Sequence, residues 1–383
     1  MYCHLLCGLA GRERVTALRA NFLIHILSGV QFLEKHWQSL VSDLRNGTVN
    51  PDMVPESALR SAVEKKVRAQ PEGASALEAE FRRGFDGILP RVFPAVYSVQ
   101  AVCTGSMLQY VPLMEKFAGP SVQLLTPFYA ASEPSTIGVC LDLKTHPRDV
   151  AYTIIPRAVF WEFIPLDQAE GDEPVTKLLH ELEEARSYEL VLTNVSGLYR
   201  YGLEDVVKVT GFWHGLPQVQ YEYRRGMLTI TAKPEKVTEK DLAVAIGEME
   251  KWLPAESGRV LDYTVAIDTE ADPERYSVFV EVNGNEETVM EEILGACADA
   301  FDASLQKNPD YVHYRLRAQI GTAEICLVKR GAFDEFRAWK VEKGTDTAQY
   351  KVPRCLKTPE QQAVFRTRLL RSSAKDCHWF KLN

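Results

Sequence analysis

Apolar positions recur at helical spacing through Val15, Leu18, Phe22, Leu23, Ile26, Leu27, Val30, Phe32 and Leu33, which predicts one buried amphipathic helix early in the chain. Asn46-Gly47 and Asn50-Pro51 punctuate it, and Asp52 to Phe85 returns to charged helical patterns. From Arg91 the texture changes to short apolar runs, Tyr97 to Val102 and Val122 to Leu125, each ending near Gly, Ser, Thr or Pro as buried strands do. Further strands are expected at Val150 to Ile155, Val159 to Ile164 and Tyr188 to Asn194, with a helix at Val175 to Arg186.

After Tyr223-Arg224-Arg225 the pattern shifts again. It predicts a strand at Met227 to Ala232, a helix at Glu239 to Trp252 and a hairpin of Leu261 to Thr269 with Arg275 to Val282. A helix at Glu286 to Leu305, a strand at Glu324 to Val328 and a helix at Phe333 to Val341 follow. The fold class is therefore α/β, a large α/β region followed by a small α+β domain, with the boundary drawn so that 1–223 and 224–383 are separate domains. Ligands of such an α/β core sit at the carboxyl ends of the strands.

Composition changes this picture little. A chain of 383 residues, 46% hydrophobic and 25% charged, is ordinary for a globular protein with two or three domains. The net charge of −8 argues against nucleic acid or an anionic membrane as partner. The segment Phe22 to Leu33 is too short and too polar to span a bilayer, and Met1 to Arg12 lacks the basic and apolar regions of a signal peptide. The eight cysteines are scattered, with only Cys3 and Cys7 close together, so reduced thiols in a cytoplasmic protein are expected.

Four local features could carry chemistry. Tyr129-Ala130-Ala131-Ser132-Glu133 offers a hydroxyl and a carboxylate past a predicted strand, where hard oxygens suit a nucleotide's magnesium ion; a turn or helix cap would use the same residues. In Leu198 to Val207, an acidic residue placed before an apolar run could accept both ribose hydroxyls, whereas an exposed Glu204-Asp205 pair in a turn is the plain alternative. Lys236 stands at the presumed boundary, just before Thr238, a plausible helix N-cap with Asp241 completing an acidic capping box. Lys351, on a loop fixed by Pro353, could neutralise developing phosphate charge, or be a solvated lysine. There is no GxxxxGK[ST] loop, GxSxG elbow, HExxH or CxxC, and no histidine pair at metal-ligand spacing.

Taken in order, these segments resemble the Gretchen Hagen family of acyl acid amido synthetases, a branch of the adenylate-forming, firefly-luciferase-like enzymes. The likeness begins at Met1-Tyr2-Cys3-His4-Leu5-Leu6-Cys7-Gly8-Leu9 and continues at Phe32-Leu33 with Trp37. It includes Thr104 to Tyr110, Tyr129 to Glu133, Tyr152 to Pro156 with Phe163-Ile164-Pro165, and Tyr199-Arg200-Tyr201 with Asp205-Val206-Val207. It ends on Ile320-Gly321, Glu324-Ile325 and Gln349-Tyr350-Lys351-Val352-Pro353-Arg354-Cys355, and these late segments set it apart from the thioester-forming ligases of that superfamily.

The resemblance implies that 1–223 is the carboxyl-terminal part of a large adenylation domain and 224–383 its lid domain. It implies ATP and Mg2+ as cofactors, and an auxin-, jasmonate- or benzoate-type acyl acid with an amino acid as substrates. Tyr129, Ser132, Glu133 and Asp205 would then contact the nucleotide, with Glu133 also placing the metal. Thr104, Gly105 and Tyr110 would line the substrate side, and Lys236 and Lys351 would be catalytic. This sequence departs from the family at Ala131, usually serine, at Glu204, usually glycine, and at Pro134, usually smaller or more pliant. The family's Ser/Thr-Gly-rich phosphate loop lies upstream of the segment that Met1 begins, so the chain is expected to lack it. The departures leave a non-catalytic nucleotide- or carboxylate-binding relative as the alternative.

Overall fold

The computed structural model describes residues 1–157, 159–166, 174–225, 237–347, 350–374 and 377. They form two compact units, Met1–Glu222 and Tyr223–Asn383.

The first unit opens with α1 (Tyr2–Ala10), β1 (Ala17–Phe22), α2 (Leu23–Asn46), α3 (Ser57–Glu64), α4 (Pro71–Arg82) and α5 (Ile88–Val92). The predicted helical stripe is thus two elements. Leu18, Ala20 and Phe22 fit a helical period, but their backbone pairs in parallel with β2 (Ser98–Val102), Ala17 opposite Ser98, and tertiary pairing overrides local periodicity. α2 ends where Gly47 adopts φ +70°, a left-handed C-cap that glycine takes without steric cost. After α6 (Val111–Ala118), β3 (Gln123–Leu125) completes a parallel sheet in the order β1-β2-β3. Parallel neighbours need crossovers, and the helices supply them while covering a continuous apolar core from Tyr2 to Leu124.

Next comes a seven-stranded sheet. Its strands are β4 (Phe128–Tyr129), β5 (Gly138–Val139), β6 (Tyr152–Ile154), β7 (Phe160–Pro165), β8 (Ser187–Thr193), β9 (Tyr201–Trp213) and β10 (Leu216–Arg224), in the order β4-β5-β6-β10-β9-β8-β7. The helix expected at Val175 to Arg186 does not form. Lys177 exchanges backbone hydrogen bonds with Phe163, and only the turn Leu179–Glu181 is helical, closed by the Glu181 carboxylate on the Leu178 N–H at 2.7 Å. Leu178, Leu179 and Leu182 mimic a helical face, but the edge of β7 supplies the stronger backbone partner.

The second unit has α7 (Glu239–Glu250), β11 (Val260–Asp268), β12 (Arg275–Val282), α8 (Glu291–Leu305), α9 (Pro309–Leu316), β13 (Glu324–Val328), α10 (Ala332–Glu342), α11 (Pro359–Arg366) and β14 (Leu369–Ser372). Its sheet runs β11-β12-β13-β14, with β12 and β13 parallel. Alternate side chains serve two cores, as the pleat requires. Tyr276, Val278 and Val280 pack with α7 and α8 on one face, while Phe279, Cys326 and Val328 pack with Phe333, Phe336 and Phe365 of α10 and α11 on the other. The strand expected at Met227 to Ala232 lies outside the described residues. Thr238 caps α7 as expected: its hydroxyl accepts the Asp241 N–H at 3.1 Å, and the Asp241 carboxylate accepts the Thr238 N–H at 2.9 Å. Among the described residues no helix is long and apolar enough to cross a membrane.

Candidate functional site

Between β8 and β9 the register slips: Val191 faces Gly202, yet Glu189 faces Val206. Four steps along β9 match two along β8, so the intervening residues of β9 form a bulge, the device by which a strand re-aims a side chain. Glu204 takes up the distortion at φ +62° with its side chain exposed, and Asp205 turns inward to 4% exposure.

The inward turn gives Asp205 a partner from β4. The Tyr129 hydroxyl donates to Asp205 Oδ2 at 2.6 Å. A buried carboxylate needs such donors, because burial without them is costly. Around this pair stands an aromatic wall: the Tyr129 ring lies 5.6 Å from that of Tyr152 and 5.8 Å, edge-on, from that of Tyr221.

The same tyrosines reach the Thr104-Gly105 turn. The Tyr152 hydroxyl lies 2.9 Å from Thr126 Oγ1 and 3.3 Å from Thr104 Oγ1. Burial raises the Tyr152 phenol's pKa, against the opposing effect of those two hydroxyls. Gly105 sits at φ +60°, and a Cβ there would lie 3.0 Å from the Tyr221 ring, so both conformation and space call for glycine. Tyr110 differs: it is 2% exposed inside the apolar core of the first unit.

Ser132 is exposed and Glu133 half-buried on the segment between β4 and β5. The Glu133 carbonyl accepts from Asn194 Nδ2 at 3.1 Å, and among the described residues its carboxylate accepts one hydrogen bond, from the Tyr201 hydroxyl at 3.5 Å. That carboxylate keeps lone pairs for a hard cation. Magnesium is commonly held by one or two carboxylates together with nucleotide phosphates, so the donor chemistry fits.

Of the lysines, Lys236 lies outside the described residues, and Lys351 is exposed in the second unit. Lys351 stands between Tyr350 and Val352, both buried in the core under α10 and α11, so alternation turns it outward. Burial raises the pKa of Glu239 in the first turn of α7, while the charges of Arg354, Lys351 and Arg224 pull it down.

The sequence did not single out Tyr221 or Thr126, and it carried Arg354 only within the Gln349–Cys355 segment of the resemblance, with no role. Tyr152 did carry part of the resemblance, but its hydroxyl network shows only in three dimensions.

Three domain models match the chain in order. The GH3 family N-terminal domain covers 1–123, the GH3 family central domain 152–224 and the GH3 family C-terminal domain 240–360. The chain belongs to the GH3 family. It is 36% identical over 376 residues to a probable indole-3-acetic acid-amido synthetase of Oryza sativa subsp. japonica, covering 94% of this chain and 62% of that protein. It is 36% identical over 359 residues to a jasmonoyl-L-amino acid synthetase of Nicotiana attenuata, covering 93% of this chain and 61% of that one. The solved structure of the GH3.15 acyl acid amido synthetase superposes with a TM-score of 0.88 at 31% identity, over 97% of this chain and 66% of that one. The α/β fold is therefore that of the GH3 enzymes, and this chain spans a little under two thirds of the relatives it matches.

Within the GH3 frame the departures acquire a physical meaning. Glu204, where the resemblance leads to the expectation of glycine, is the left-handed bulge residue with its carboxylate exposed. Ala131, where the resemblance leads to the expectation of serine, packs its methyl against the apolar cluster of the seven-stranded sheet.

Proposed function

We propose that the protein is an ATP-dependent acyl acid amido synthetase, which activates an auxin-, jasmonate- or benzoate-type carboxylate as an acyl-adenylate and transfers the acyl group to an amino acid. The observation that carries this reading is the buried Tyr129–Asp205 pair at the β9 bulge, with the Thr104-Gly105 turn joined to it through Tyr152 and Tyr221.

The chemistry needs a leaving group, because a carboxylate at neutral pH is a poor electrophile. Attack of a carboxylate oxygen on the α-phosphorus of ATP releases pyrophosphate and leaves an acyl-adenylate. The amine of an amino acid then attacks the acyl carbon, loses a proton and expels AMP. The protein's contribution is to hold both reactants and to stabilise phosphoryl charge. Asp205 takes the ribose hydroxyls, Tyr129 orients that carboxylate, and Ser132 and Glu133 face the phosphates, with Glu133 as the protein ligand for Mg2+. Thr104 and Gly105 line the acid side, next to the buried Tyr110. The second unit acts as a lid domain after 1–223, bringing Lys351 to the phosphates, with Lys236 at the hinge. The partners are small molecules, and the eight thiols suit a reducing, cytoplasmic setting.

The second reading, a nucleotide- or carboxylate-binding relative without catalysis, is favoured by one observation. Ala131 spends its side chain on the apolar core and offers no hydroxyl to the site. ATP–pyrophosphate exchange with indole-3-acetate, jasmonate and benzoates separates the two. Acid-dependent exchange is expected for the synthetase. No exchange with any acid, from folded protein that still binds ATP, would establish the second reading.

A further inference from the structure

The segment carrying Lys351 is not held by proline alone. Arg354, three residues on, is 2% exposed, among the largest buried side chains of the protein. Its Nη1 donates to Asp262 Oδ1 on β11 at 2.6 Å and also to the Tyr263 carbonyl. Its guanidinium lies over the Tyr263 ring at 4.5 Å. Asp262 in turn accepts the Tyr263 N–H at 2.8 Å, so the carboxylate is oriented as well as paired.

The backbone follows the side chain. The Val265 N–H donates to the Arg354 carbonyl at 3.0 Å, the Leu356 N–H donates to the Val265 carbonyl at 2.8 Å, and the Thr264 hydroxyl donates to the Pro353 carbonyl at 2.6 Å. Val265 and Cys355 form a parallel bridge, so this stretch adds itself to the free edge of the four-stranded sheet at β11.

We propose that the buried Asp262–Arg354 pair is a positioning anchor for Lys351, fixing the stretch from which the lysine projects. A buried ion pair contributes little net stability against an apolar pair of equal size, so its use here is geometric: it sets one register and one direction. Tyr350 and Val352 are buried on either side of Lys351, and Arg354 is the next inward position of the same alternation. Arg354 does not touch the reaction itself. The catalytic consequence rests on the reading of Lys351 as the phosphate-side cation.

Hydrogen–deuterium exchange on the intact chain tests the anchor. The double variant Asp262→Leu/Arg354→Met replaces the pair with apolar side chains and keeps a buried fit. It is expected to lose about tenfold or more protection at the Val265 and Leu356 amides, with faster tryptic cleavage after Lys351, since local opening governs both. Arg315→Met is the control, because it breaks another largely buried pair of this unit, with Asp302 at 3.1 Å, far along the chain from Lys351. It should lower Tm without singling out those two amides. Unchanged protection in the folded double variant overturns the proposal.

Pyrophosphate exchange separates this from the functional reading. Arg354→Met should lower kcat about 100-fold with KM for the acid little changed, as displacement of a catalytic group does, and Arg354→Lys should recover part of the loss. A loss with Lys351→Ala but none with the loosened double variant overturns the anchor and leaves the synthetase reading standing. A loosened segment with no effect of Lys351→Ala supports the anchor and removes Lys351 from the mechanism.

Discussion

The Tyr129 hydroxyl and the Asp205 carboxylate, 76 residues apart in sequence, meet at 2.6 Å in the interior of the seven-stranded sheet region. The contact requires both the β4 strand and the β9 bulge. The Tyr129→Phe variant keeps the ring and removes the donor, leaving a buried carboxylate with one hydrogen bond fewer. It should cost roughly 1–3 kcal/mol in urea unfolding and weaken ATP about tenfold in calorimetric titration. Asp205→Ala should abolish exchange altogether, and activity surviving it would remove Asp205 from the nucleotide site.

Glu204 makes an opposite kind of prediction. An L-residue held at φ +62° is strained by about 1–2 kcal/mol, and its side chain is exposed. The Glu204→Gly variant should therefore gain stability, about 1 kcal/mol after the added freedom of the unfolded chain is counted, read as a rise in Tm. Pyrophosphate exchange should be preserved or improved.

Gly105→Ala tests the other side of the site. The new methyl meets the Tyr221 ring at 3.0 Å in a left-handed backbone. A loss of about 1–3 kcal/mol is expected, together with a raised KM for the acid. Gly105→Ala should cost less in a Tyr221→Ala background than in the wild type, since the clash is gone there but the backbone strain is not.

Glu281 governs a pH effect in the second unit. Its carboxylate accepts the N–H groups of Gly331 at 2.8 Å and Phe333 at 3.1 Å at the start of α10, and burial pushes its pKa up to about 7 from an ordinary 4.5. The folded state therefore binds more protons than the unfolded state between those values, so stability is greatest below about 4.5 and is lost as pH rises through about 7. The full loss is roughly 3 kcal/mol at the linkage slope for one group. Glu281→Gln keeps an acceptor and removes the proton, so urea midpoints should lose this pH dependence and exceed wild type most at pH 8.

Much of this was readable from the chain. The strands β12 and β13 show in the sequence because both faces are apolar, and Thr238 with Asp241 announces the start of α7 by local chemistry alone. What failed to show was non-local. β1 shares its apolar spacing with α2 and is a strand only because β2 lies beside it. The 175–186 segment has leucines at helical intervals but finds its partner in Phe163. Asp205 could be picked out as an acid before an apolar run, yet the bulge that buries it depends on the register with β8. Arg354 stands in the sequence only as one residue of the Gln349–Cys355 segment, and its role shows once Asp262, 92 positions earlier, is placed against it.

The alternation of Tyr350, Lys351 and Val352 makes the lysine's aspect a question of parity. One extra residue between Tyr350 and the Arg354 anchor would exchange inward and outward positions along the stretch, driving an ammonium toward the core and an apolar side chain into water. For folding, the tolerance of this segment is therefore set by its residue count more than by its outward side chains: Lys351 can be replaced without disturbing the packing, whereas a single insertion or deletion cannot be absorbed.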